Sequence, residues 1–124
     1  MNVSETYVSP DNALKLVVVE DSGGNMTVGF EGGNWHTHPD LIRDWLPVGN
    51  RDAVQFLVEA IIGDQLPILF KASSGSSSNA WISDNLWQTL RCSDDGEWSF
   101  RFWSGTVINT EQALEAYARI VRRS

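Results

Sequence analysis

The segment from residue 14 to residue 31 constrains the fold most, because it reads as a finished β-hairpin. Residues 14–20 carry Leu14, Leu16, Val17, Val18 and Val19, a β-rich and nearly continuous apolar run that describes a strand covered along most of its length. Asp21-Ser22-Gly23-Gly24-Asn25 follows, with residues that tolerate positive φ or turn the chain through their own side chains. Residues 26–31 then alternate, with Met26, Val28 and Phe30 on one face and Thr27, Gly29 and Glu31 on the other. A hairpin with one apolar face has to be covered, so the remaining sequence must supply the cover.

Two helical patterns do so. Between Asp52 and Ile62, Val54, Leu57, Val58 and Ile61 form an i, i+3, i+4, i+7 stripe, with Asn50 as the expected N-cap and Gly63 as the stop. From Thr110 to Arg123 the buried stripe is Leu114, Tyr117, Ile120 and Val121; Asn109 or Thr110 caps it, Glu111 lies in its first turn and Arg119, Arg122 and Arg123 lie near its end, where the helix dipole favours each sign. Residues 41–45 suit one short helical turn. Further strands are expected at 66–71, 80–82, 87–92 and 97–103, with a loop at 73–79 and a turn at 93–96. Short links between consecutive strands imply antiparallel pairing. The expected architecture is a single α+β domain over residues 1–124, an antiparallel sheet of five or six strands with two helices packed on one face.

Such a sheet has a second face. If Trp98, Phe100 and Phe102 point at the helices, then Ser99, Arg101 and Trp103, joined by Trp87, lie opposite. A face with Trp and Arg has the composition of a binding surface or a homodimer interface, unless loops 32–50 and 72–86 fold over it as a second small core.

Charge limits the partners. The chain carries net −7, and the asymmetry is wholly N-terminal: residues 1–64 hold ten acids and three bases (Lys15, Arg43, Arg51), while residues 65–124 hold six of each. A nucleic-acid ligand needs a basic surface, so none is expected. The longest apolar runs, at 16–19 and 60–62, fall far short of the ~20 residues of a membrane helix, and the first residues lack a signal peptide's basic and apolar regions. A cytoplasmic location is expected. The single cysteine, Cys92, cannot form an internal disulfide.

Both histidines lie in Trp35-His36-Thr37-His38-Pro39-Asp40. On an extended segment His36 and His38 share a face, and Pro39 biases His38 toward that conformation. With Asp40 on the same face, two imidazoles and a carboxylate could hold Zn²⁺ with a position open for water, or the same side chains could fix a rigid loop beside Trp35 and Trp45. Outside residues 31–52 the sequence offers no catalytic constellation: no phosphate-binding glycine loop, no Gly-x-Ser-x-Gly and no paired cysteines.

His36-Thr37-His38-Pro39 resembles the central His-x-His-Pro of the JAMM metalloproteases, and the resemblance implies zinc on His36 and His38 with a carboxylate as third ligand. That family's Ser-x-x-Asp would fall on Pro47 and Asn50 here, which leaves Asp40 and Asp52 as the carboxylates for the zinc-hydrolase alternative. A second likeness spans more of the chain. A hairpin with Thr27-Val28-Gly29-Phe30-Glu31-Gly32, the histidine segment, an amphipathic helix and a late Arg101-Phe102-Trp103-Ser104-Gly105-Thr106 is similar to small bacterial proteins, some of which accompany polymorphic toxins as immunity proteins. This likeness implies a protein that occupies a toxin's surface, without cofactor or catalytic residues. The expectation is therefore a small acidic protein-binding domain, directed at a basic toxin, with Trp35, Asp40, Asp44, Trp45, Trp87, Arg101 and Trp103 as candidate contacts.

Overall fold

In the computed structural model, which describes residues 2–32, 35–71, 80–91 and 98–121, strand β1 (Asn2–Val8) opens the chain. It pairs antiparallel with β2 (Lys15–Glu20), which pairs with β3 (Met26–Phe30), which pairs in turn with the short β4 (His36–Thr37). The hairpin register places Leu16 opposite Phe30 and Val18 opposite Val28, and all four are buried. Removing such side chains from water contributes roughly 1.5–3 kcal/mol each. At the turn, Asp21 Oδ1 accepts from the backbone N–H of Gly23 (2.8 Å) and Asn25 (3.0 Å), and Gly24 takes the left-handed conformation (φ 83°). Those bonds, led by that from Asn25, hold the Asp21 carboxyl below the usual carboxylate range.

Helix α1 (Pro39–Trp45) follows β4 directly, with Pro39 in its first turn, where a missing N–H costs nothing. Helix α2 (Ala53–Ile62) buries Val54, Leu57, Val58 and Ile61, the predicted stripe. Its cap is Asp52, whose side chain accepts from Gln55 N–H; the expected Asn50 lies two residues too early and is exposed. Gly63 is the C-cap, its N–H donating to the Glu59 carbonyl, and a Cβ there would come within 2.8 Å of that oxygen.

The second half builds a separate sheet: β5 (Ile68–Lys71) pairs with β6 (Trp98–Arg101) and β6 with β7 (Val107–Ile108), all antiparallel. Helix α3 (Leu86–Arg91) precedes β6, and helix α4 (Thr110–Val121) ends the described chain. Asn109 caps α4 reciprocally: its side chain accepts from Gln112 N–H (2.8 Å), and the Gln112 side chain accepts from Asn109 N–H (2.9 Å). Helix α4 packs on β6 and α3, and α1 packs on α2. One continuous cluster of buried side chains, from Leu16 and Val28 through Leu57 and Ile61 to Leu69, Phe100 and Ile120, unites the elements.

The α+β class and the antiparallel pairing are as expected. The single sheet of five or six strands and the pair of helices are not. Among the described residues there are two sheets, of four and three strands, and four helices. Two local events separate the sheets. β4 is two residues long and runs into Pro39, which starts a helix and ends that edge. Of residues 87–92, expected as a strand, 87–91 belong instead to α3, because Asn85 Oδ1 accepts from Gln88 N–H (3.1 Å) and starts a helix there. The Trp and Arg face, read as either open or covered by loops, is not open at Trp103. β6 stops at Arg101 and the chain turns, with Gly105 N–H donating to the Phe102 carbonyl; Trp103 swings into the core at 5% exposure. Cys92, the loop 73–79 and the turn 93–96 lie outside the described residues. No described helix is long and apolar enough to cross a membrane.

Candidate functional site

The strand β4 and helix α1 stand beside residues 81–89, and between them lies a groove of about 720 Å³. One wall comes from the N-terminal half: Trp35, His36 and Thr37 on or next to β4, and Leu41, Asp44 and Trp45 on α1. The other comes from Trp81 to Ser83, from Asp84 and Asn85 before α3, and from Gln88 and Thr89 on α3 itself.

Each tryptophan of the groove is half-buried and braced by a second aromatic ring. Trp35 leans on Phe30 (centroids 5.4 Å apart), Trp45 stacks on Tyr117 (6.1 Å, planes within 16°), and Trp81 meets Trp98 edge-on (4.8 Å). The backbone is fixed as well. Trp81 exchanges both N–H and carbonyl bonds with Leu69 of β5 (3.0 and 2.9 Å), and the Tyr117 hydroxyl donates to the Asp84 carbonyl at 2.6 Å. Burial pushes the Tyr117 hydroxyl pKa upward, so it stays a donor. Ser83 Oγ and Thr89 Oγ1 are hydrogen-bonded at 2.7 Å and join the loop to α3. On the other wall, Gly29 of β3 lets β4 approach: a Cβ there would lie 2.7 Å from the Trp35 carbonyl oxygen. The groove is thus held open by aromatic braces and backbone bonds on both sides.

Its charge is one-sided. Among the described residues, no Lys or Arg lines it. The three cations of the acidic half are all turned elsewhere: Lys15 pairs with Glu31 at 3.3 Å, Arg43 donates to the carbonyls of Gly49 and Arg51, and Arg51 donates to those of Val48 and Pro47 while lying over the Phe56 ring. Most acids are also engaged. Asp11 pairs with Arg101, Asp52 caps α2, Glu59 accepts from Gln55, and Asp64 Oδ1 accepts from Ser104 N–H. Among the described residues, Glu20, Asp40, Asp44, Asp84 and Glu111 receive no side-chain hydrogen bond or ion pair, and of these Asp44 and Asp84 face this groove.

The candidate contacts divide accordingly. Trp35, Asp44 and Trp45 come together in the groove, and Trp87 stands beside it, 41% exposed, with its ring edge-on to Tyr117 at 5.0 Å. Asp40 lies in the first turn of α1 and faces a different depression, shared with His38 and Thr27. Arg101 and Trp103 are structural: Arg101 forks onto Asp11 (2.7 and 3.3 Å) and donates to the carbonyls of Phe102 and Trp103, while Trp103 is buried. The residues of 81–89 that line the groove, Trp81 to Asn85 with Gln88 and Thr89, are the part that sequence pattern did not single out.

His36 and His38 do share a face, with ring centroids 5.6 Å apart and edge-to-face. They serve different surroundings. His36 lines the groove, whereas His38 Nδ1 lies 3.2 Å from Thr27 Oγ1 and 3.3 Å from the Met26 carbonyl, a bond that requires the proton on Nδ1. Asp52 is committed to the start of α2, and among the described residues no three His, Cys, Asp or Glu side chains gather as a metal shell.

Comparison with family models, with curated proteins and with solved structures finds no match to this chain.

Proposed function

We propose that this chain is a small acidic protein-binding domain, an immunity-type inhibitor that works by occupying the surface of a basic bacterial toxin. One observation carries the reading: a groove with three braced tryptophans and two unengaged carboxylates and, among the described residues, no cation. Interfaces draw their binding energy from a few aromatic anchors in desolvated positions, and the half-buried tryptophans supply them. The net −7 chain would attract a cationic partner from a distance, an effect worth roughly 10- to 1,000-fold in association rate at low salt. The domain acts by occupation, and no cofactor enters the proposal.

The test begins with affinity capture from a bacterial extract, identification of the bound protein, and titration of the purified pair by calorimetry. A one-to-one complex with a basic protein is expected, associating more slowly as salt rises and weakened about 30-fold or more by Asp44→Arg, the scale of a hot-spot residue. The absence of any protein partner, together with stoichiometric zinc that disappears in His36→Ala and His38→Ala, would overturn the proposal in favour of the zinc-hydrolase alternative.

A further inference from the structure

We infer that the groove between α1 and residues 81–89 is a receptor for an arginine side chain presented by the partner. This rests on the protein-binding reading and specifies the chemistry of its contact. Its walls offer half-buried indole surface from Trp35, Trp45 and Trp81, and carboxylates from two separate segments, Asp44 of α1 and Asp84 before α3. A guanidinium is flat, weakly hydrated and always charged; it stacks on aromatic faces and forks onto carboxylates. A lysine ammonium is compact and strongly hydrated, loses more on leaving water, and has no planar face to set against an indole. The exposed amide of Gln88 adds a polar acceptor at the rim.

Two further features favour this occupant. The braces of Phe30, Tyr117 and Trp98 fix the tryptophans before anything binds, so little side-chain entropy remains to be lost. The volume, about 720 Å³, lies within the range of ligand-holding clefts, roughly 300–1,000 Å³. It exceeds one side chain, which leaves room for the backbone that carries the arginine. Charge complementarity then selects a basic protein segment over an acidic or neutral one.

The experiment follows the indole N–H signals of the ¹⁵N-labelled chain during titration with three probes: N-acetyl-arginine amide, N-acetyl-lysine amide and N-acetyl-citrulline amide. Citrulline matches arginine in shape without the charge. The arginine probe is expected to shift the signals of Trp35, Trp45 and Trp81 but not that of buried Trp103, with the lysine and citrulline probes at least about five-fold weaker. Asp44→Asn and Asp84→Asn, both at exposed positions, should each weaken the arginine probe several-fold, while Asp40→Asn, outside the groove, should not. Equal responses to arginine and lysine, no response in the groove tryptophans, or insensitivity to both groove substitutions would each overturn the inference. The two proposals fail separately. A protein complex that forms but ignores Asp44→Asn and Asp84→Asn sinks the arginine receptor alone; arginine-selective shifts without any protein partner sink the toxin-inhibitor reading alone.

Discussion

Two regions of the molecule hold the same kinds of side chain in opposite states. At the clamp, Asp11 in the turn between β1 and β2 receives a two-pronged bond from Arg101 at the end of β6, next to the buried Trp103. In the groove, Asp44 and Asp84 stand among tryptophans with no arginine among the described residues. The clamp joins the two sheets, and its ion pair is complete. The groove has the same acidic and aromatic groups but lacks the cation, which the proposed partner would bring.

The largest effect is expected from breaking the clamp. Arg101→Ala removes the guanidinium from a side chain only 13% exposed, takes the donor from the Trp103 carbonyl, leaves the Phe102 carbonyl with the Gly105 N–H alone, and unties the β1–β2 turn from β6. A loss of about 2–3 kcal/mol in denaturant unfolding is expected, since hydrogen bonds from a charged group are among the stronger ones. The clamp also has a pH signature. Arg101 first, then Ser9 and the N–H of Ala13, hold the Asp11 carboxyl well below the usual carboxylate range. A depressed folded-state pKa means that the stabilisation is present above the unfolded value near 3.9 and is lost as pH falls through the lower folded value. Carboxyl NMR titration should show Asp11 still ionised below pH ~3.9, and Arg101→Ala should return it toward the ordinary range.

Gly29→Ala tests the groove's other support. Its new Cβ would meet the Trp35 carbonyl oxygen at 2.7 Å, so β4 must shift. Overpacking of this kind costs typically 1–3 kcal/mol, and the Trp35 indole signal should move while that of Trp103 stays. If both move together, groove and core are not separable in the way the comparison requires.

The clamp and the groove also differ in how far the sequence announces them. The β2–β3 hairpin and the stripes of α2 and α4 are written in periodicities of two and 3.6, which one face of a local element dictates. The clamp links residues 90 positions apart, and nothing local to Asp11 or Arg101 signals the pairing. Reading Arg101 and Trp103 as an open face assumed that alternation continues past Arg101, whereas the turn at Gly105 ends it. Residues 86–91 misled for a related reason: Leu86, Trp87, Thr89 and Leu90 suit a strand by type, and over six residues only the cap at Asn85 decides for helix. β1 escaped notice because its apolar residues are few and its pairing breaks at a bulge between Val3 and Glu5. Half the groove was legible, since Trp35, Asp44 and Trp45 fall in one short stretch. Its other wall depends on Trp81 bridging to Leu69 and on Tyr117 reaching Asp84, contacts that form only in the fold.

Tyr117→Phe removes the link from α4 to that wall. The Asp84 carbonyl loses its donor, and a loss of about 1 kcal/mol is expected in thermal or denaturant unfolding. The ring would remain, and with it the stack on Trp45. Loosening of residue 84 should therefore lower arginine-probe affinity by a few-fold without abolishing it. An unchanged affinity would mean that the Asp84 wall is positioned by α3 alone.

The smallest stability effect completes the contrast. Asp44→Asn and Asp84→Asn remove charges that no described group of the chain answers, so unfolding free energies should stay within about 0.5 kcal/mol of the parent. Removing a carboxylate from an acidic chain even relieves some self-repulsion, and a slight gain would agree with that. If either substitution instead destabilised the protein as much as Arg101→Ala does, its carboxylate would be a second clamp rather than a docking group. Stability neutrality combined with lost binding is the pattern that separates a surface kept for a partner from one used to hold the fold.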